Sequence, residues 1–163
     1  MTPRIYIADL AEYNSGRLVG AWIDTAGKDA EDLQNEIGEI LKPGNEEWAI
    51  HDHEGFGNLL GEYTGMVEVA ALSEAIAEHG DALVVFMEHE DRGVDVENFE
   101  DAYCGSWPTF REFADNTFDE LYLPDVPKSL LGYIDYEAFA SDLSFDHFAV
   151  DDPSGGVFVF SSS

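Results

Sequence analysis

The chain has 163 residues, with 35 Asp and Glu against 7 Lys and Arg, so its formal net charge is −28. An apolar content of 45% with 13% aromatics excludes wholesale disorder, which requires a chain poor in such residues. Seven scattered cations exclude a basic surface for nucleic acid or anionic membrane, and a single cysteine excludes a disulfide framework or a Cys-only metal site.

Residues 4–10 predict a strand rich in β-formers, the cluster Glu12 to Gly16 a turn, and residues 17–24 a return strand, so the chain is expected to open with a hairpin. Residues 29–41 change to helical period, with Ala30, Leu33, Ile37, Ile40 and Leu41 on one face and Pro43-Gly44 ending the helix. Residues 47–53 predict a third strand. A second helix is expected over 67–79, with Val69, Leu72, Ala75, Ile76 and His79 on one side and Gly80 as terminator. Residues 81–90 fit a strand through Leu83 to Phe86, or a helix capped by Asp81; the helix is the reading adopted. Asp95 is a candidate cap for a short helix burying Val96, Phe99 and Tyr103.

The last third is aromatic: 14 of 21 Phe, Trp and Tyr fall between Phe99 and Phe160. Thr109 to Glu112 is a capping-box pattern opening a helix with Phe110, Phe113, Ala114, Phe118 and Leu121 inward. Pro124 and Pro127 bracket a turn. Asp135 is the expected cap of a helix carrying Tyr136, Phe139, Ala140 and Leu143. Residues 147–150 and 157–160 predict a hairpin around Asp151 to Gly156. The expected fold class is α+β, in three small segments: an α+β unit over 1–61, a helical middle over 62–103 and an α+β unit over 104–163. With no apolar run of 18 residues and no charged-then-apolar leader, a soluble cytoplasmic protein is expected.

The charge is not confined to a tail. The three segments hold 12 acids and 4 bases, 12 and 1, and 11 and 2, giving net −8, −11 and −9. The acids alternate with apolar residues at structural periods, so they must coat a folded surface. A net charge of about 2–8 in magnitude keeps a small domain soluble, and a larger one destabilises the compact state by self-repulsion. The excess therefore points to a function, or to adaptation to high salt. At one charge per about 1.7 Å of duplex, −28 matches the phosphates of about 14 base pairs.

Catalytic and metal chemistry finds little support. His51 and His53 are two residues apart on an expected strand, but no third ligand has characteristic spacing, and a solvent-facing strand end accounts for them. Cys104 has no His paired with it by sequence. Ser154-Gly155-Gly156 lacks the following Lys of a phosphate loop and reads as a hairpin turn. No catalytic residue, cofactor or metal is expected, and the chain is read as a binding protein rather than an enzyme.

Five blocks carry a resemblance: residues 3–10 with Tyr13-Asn14 and 20–24; residues 46–56; residues 98–105; residues 133–143; and residues 156–160. Together they resemble the ArdA antirestriction proteins of plasmids and transposons. The resemblance implies a DNA mimic that occupies the DNA-binding groove in the methyltransferase core of Type I restriction–modification enzymes and blocks cleavage and modification. It also implies an elongated homodimer of three-segment chains. The distributed carboxylates, with Asp125, Asp135, Glu137 and Asp142 as candidates, are then the partner-binding groups. The aromatic third segment is the expected dimer contact. The rival reading from composition is an acidic, salt-adapted globular binding protein without mimicry.

Overall fold

The computed structural model describes residues 2–90 and 96–162. The chain divides into two compact units, Met1–Val96 and Glu97–Ser163. Each combines helices with a three-stranded antiparallel sheet, so the fold class is α+β, as expected.

In the first unit β1 (Arg4–Asp9) is the central strand, between β2 (Gly20–Asp24) and β3 (Trp48–Glu54). The opening hairpin forms with Arg4 opposite Asp24 and Ala8 opposite Gly20. Its connection is more ordered than a turn. Asp9 caps a five-residue helix, α1 (Leu10–Asn14), and the return strand starts at Gly20 rather than residue 17. Gly20 is required there, because a Cβ would lie 2.5 Å from the Ile7 carbonyl oxygen and 2.8 Å from the Tyr6 hydroxyl.

One face of this sheet buries Ile5, Ile7, Ile23 and Ile50 on the side covered by α2 (Ala30–Ile40), and α3 (Met66–His79) packs on α2. α2 is opened by a reciprocal capping box between Asp29 and Asp32, and it contributes Leu33 and Ile37 to the core. α3 contributes Val69, Leu72, Ala75 and Ile76, and ends at Gly80, whose φ of 70° suits a residue without Cβ. The ambiguous segment is a helix, α4 (Asp81–Glu90), with Ala82, Leu83, Val84, Phe86 and Met87 buried. Each fully buried aliphatic or aromatic side chain contributes about 1.5–3 kcal/mol, and this burial opposes the self-repulsion of the acidic surface.

The boundary between the units falls at the first residue of α5 (Val96–Ala102), the rest of which belongs to the second unit. The expected Asp95 cap lies outside the described residues. Tyr103 does not continue this helix, contrary to expectation. It begins a strand, β4 (Tyr103–Trp107), and stacks on Phe99 with ring centroids 5.1 Å apart. β4 carries a register shift between Tyr103 and Ser106, and Gly105 has φ 101°, so the strand lacks the alternation by which strands are recognised. β6 (Val157–Ser161) is central, between β4 and β5 (His147–Asp151), and the predicted 147–160 hairpin is present. Its Phe158, Val159 and Phe160 are all buried, which explains the unbroken apolar run.

α6 (Phe110–Leu121) is capped by Thr109, whose hydroxyl accepts from the Glu112 N–H at 3.1 Å. It buries Phe113 and Ala114. Leu121, expected inward, is 62% exposed, because the last turn of α6 meets α7 (Tyr136–Leu143) through Phe118 and Tyr122 instead. Two 3-10 stretches, Leu123–Asp125 and Lys128–Tyr133, connect α6 to α7. Among the described residues, no helix is long and apolar enough to cross a membrane.

Candidate functional site

The charge lies on the surface of both units. Of the 32 Asp and Glu residues whose side chains are described, 26 are exposed and one, Asp9, is fully buried. The few cations are largely matched within the chain. Arg4 makes two bonds to Glu54, at 2.7 and 3.0 Å, Arg17 pairs with Glu12, Lys28 with Glu36, and Arg111 with Asp115. The Arg4 guanidinium, which also sits 4.3 Å from the Trp22 ring centroid, holds the Glu54 carboxyl below its ordinary value. Arg17 does the same for Glu12. What remains for a partner is an anionic surface.

That surface includes carboxylates at helical spacing. Glu112, Asp115 and Asp119 recur at i, i+3 and i+7 along α6, so about 10 Å of helix carries three charges. One strand of DNA carries a charge per about 3.4 Å, the same order. Like charges at this spacing destabilise an isolated helix. Arg111 relieves this repulsion at Asp115, and Asp119 also serves the fold by accepting from the Tyr136 hydroxyl.

α7 is docked beside this row. Phe118 meets Tyr136 and Phe139 edge to face at 5.3 and 5.2 Å, and the Tyr136 hydroxyl donates to Asp119 at 2.6 Å. That bond, with some burial and the charges of Asp119 and Asp115, raises the Tyr136 hydroxyl above its ordinary value. The four carboxylates singled out from the sequence are exposed. Asp125 ends the first 3-10 stretch. Asp135 caps α7 by accepting the Ala138 N–H at 3.0 Å, and Glu137 lies in the same first turn. Asp142 lies near the opposite end, about 7 Å of helix rise beyond Glu137. Asp135 and Glu137 thus lie at the start of α7 and Asp142 near its end, while Asp125 belongs to the connection before it.

The other candidates resolve into structural roles. β3 is bulged between the pairs Tyr6–Asp52 and Ile7–Ile50, so His51 is the extra residue and its strand loses the simple alternation assumed for His51 and His53. His51 packs edge-on against Tyr13 at 4.8 Å with Nε2 3.6 Å from Glu62, whereas His53 meets Phe56. Burial raises the Cys104 thiol, which lowers its nucleophilic fraction, and Sγ donates to the Ala102 carbonyl. Ser154 to Gly156 is a hairpin turn. The Asp152 carboxylate accepts the Ser154 N–H at 2.8 Å, and Gly155 and Gly156 have φ of 109° and 78°.

Two features escaped the sequence reading. One is Arg111, whose i,i+4 partner Asp115 was the available signal. The other is a run of exposed apolar side chains after α6: Leu121, Tyr122, Leu130, Leu131 and Tyr133, the last 84% exposed. Its 3-10 geometry has no helical or strand period to betray it.

A family model described as antirestriction protein (ArdA) matches residues 5–154. The chain belongs to the ArdA antirestriction family. No curated protein matches it. An ArdA protein is an antirestriction protein, and restriction enzymes are the partners this membership implies. The match spans both units and contains all four candidate carboxylates.

Proposed function

We propose that this ArdA protein inhibits Type I restriction–modification enzymes by DNA mimicry. Its carboxylates occupy the DNA-binding groove of the methyltransferase core, and cleavage and modification are both blocked. The observation that carries this reading is the spread of exposed carboxylates over both units, with most described cations already paired internally. Lys and Arg side chains lining a DNA groove gain charge pairs with carboxylates as they do with phosphates. Carboxylates offer no base-edge pattern, so recognition is by charge and shape. The protein acts as a stoichiometric inhibitor in the cytoplasm, without catalysis or cofactor, on behalf of a mobile genetic element.

The acting form is a homodimer joined through residues 104–163. Leu121, Tyr122, Leu130, Leu131 and Tyr133 supply apolar surface for the contact. An apolar contact is also the kind that two bodies of charge −28 can make in spite of their repulsion.

The test is inhibition of a purified Type I enzyme, scored for cleavage and methylation, with an unrelated acidic protein of similar charge as control. Inhibition of both activities near one dimer per methyltransferase core, with the control inert, is expected. Equal inhibition by the control would favour the salt-adapted alternative.

A further inference from the structure

Arg111 stands where α6 gains least from a cation. It is the second residue after the Thr109 cap, at the helix end where the dipole favours acids. Its Nε donates to Asp115 Oδ1 at 2.8 Å, with the cation N-terminal to the acid, the weaker order for an i,i+4 pair. Yet it is one of only two cations in residues 104–163, and its neighbours are acids. The bond to Asp115 raises the guanidinium above its ordinary value; burial opposes the rise, and the charges of Asp115, Glu137 and Asp135 add smaller contributions to it. The last two belong to the first turn of α7, held beside α6 by Phe118 and by the Tyr136–Asp119 bond.

We infer that Arg111 is a built-in counter-charge that orders Asp115 on the α6–α7 face and, by the same charge, weakens the attraction of that face for a basic groove. The inference rests on the mimicry reading. In the free protein, the guanidinium paired with Asp115 relieves repulsion between Asp115 and its helix neighbours Glu112 and Asp119. In the complex, the partner's Lys and Arg compete for those carboxylates and meet a like charge. Arg111 is thus a positioning residue with two effects of opposite sign. Replacing it with Gln lowers the stability of the second unit and tightens binding. A residue that served only to hold the helices would lose stability and binding together.

The experiment compares the full-length wild-type protein with Arg111→Gln, Arg111→Lys and Asp115→Asn. Each is titrated against a purified Type I methyltransferase core carrying labelled DNA, at several salt concentrations, with urea denaturation alongside. Arg111→Gln is expected to bind about two- to fivefold tighter at low salt, the scale of one exposed charge contact. The gain should shrink as the screening length falls, and the urea midpoint should drop. Arg111→Lys, which keeps the charge, should bind within about twofold of wild type, on the same scale. Asp115→Asn removes the bonded carboxylate of Arg111 and should weaken binding more than Asp125→Asn does, an arm that holds even where Arg111→Gln folds poorly. Displacement of DNA by the wild type, with Arg111→Gln no tighter and Asp115→Asn no worse than Asp125→Asn, would overturn this inference alone. Failure of the wild type to displace DNA would overturn the mimicry reading and this inference with it.

Discussion

Among the described acids Asp9 is the one that is fully buried, and its replacement by Asn is a demanding test of how the first unit is held together. Both of its carboxylate oxygens accept. Oδ1 takes the Glu12 N–H at 3.2 Å, which caps α1. Oδ2 takes the Lys42 N–H at 2.9 Å, and the Asn45 amide donates to both, at 2.9 Å and 3.2 Å. Burial pushes the Asp9 carboxyl up, but the donors from Asn45, Lys42, Glu12 and Ala11 outweigh it and the net shift is downward. Asn has the same shape but one acceptor, so whichever way its amide turns, an NH2 group faces N–H donors. Leaving one or two buried donors unpaired costs about 1–3 kcal/mol each, so Asp9→Asn should lose about 2 kcal/mol and Asp9→Ala, which also loses the cap, about 3 kcal/mol. With a urea slope of about 1–3 kcal/mol per molar, the Asp9→Asn midpoint should fall by about 1 M. Removing one negative charge from a surplus of 28 acts in the opposite direction, so a loss cannot be attributed to general electrostatics. The depressed carboxyl also sets a pH window. Its contribution is fully present above the ordinary Asp value of about 3.9 and is lost as pH falls through the lower folded value. The gap between wild type and Asp9→Ala should therefore be constant near neutrality and shrink in acid. An Asp9→Asn midpoint within about 0.2 M of wild type, on the same slope, would refute the two-acceptor account.

Three further outcomes follow from particular residues. Gly156→Ala should destabilise the 147–160 hairpin by about 1–3 kcal/mol in urea titration, because Gly156 has φ 78° and a Cβ would lie 2.6 Å from the Trp107 carbonyl oxygen. Changing any one of Asp125, Asp135, Glu137 or Asp142 to its amide should weaken inhibition less than about fivefold, and all four together should weaken it progressively more. Complete loss from one such change in a folded protein would instead indicate a catalytic or metal role. Leu131→Ser with Tyr133→Ser should convert a dimer that persists in high salt into a monomer by analytical ultracentrifugation. An unchanged dimer would place the contact elsewhere.

The sequence was most readable where one rule governed a segment. Period and caps located α2, α3, α6 and α7 to within a residue or two, because Asp29, Thr109 and Asp135 cap as their positions suggest. The β5–β6 hairpin was legible from its turn. β4 was not, since Gly105 and the register shift erase its alternation, and Tyr103 satisfies a helix face and a strand core equally well. α1 was hidden because five residues are too few to show a period. Leu121 was misplaced because helical spacing identifies an apolar face without saying whether the chain itself covers it. The Asp9 network joins residues 33 and 36 positions apart, and in a chain with 35 acids no local pattern distinguishes the one that is buried. The same abundance limits the candidate site. Asp135 is legible as a cap, but the docking of its helix on α6 through Tyr136 and Asp119 is not.

The most direct test of the central claim is a competition titration. Labelled duplex bound to a purified Type I methyltransferase core is challenged with the protein at increasing salt, and the DNA-bound fraction is followed by fluorescence anisotropy. The account predicts complete displacement of the DNA, mutual exclusion whichever ligand is added first, and an affinity that falls steeply as salt rises. A ternary complex in which the core holds both protein and DNA, or an affinity indifferent to salt, would contradict it.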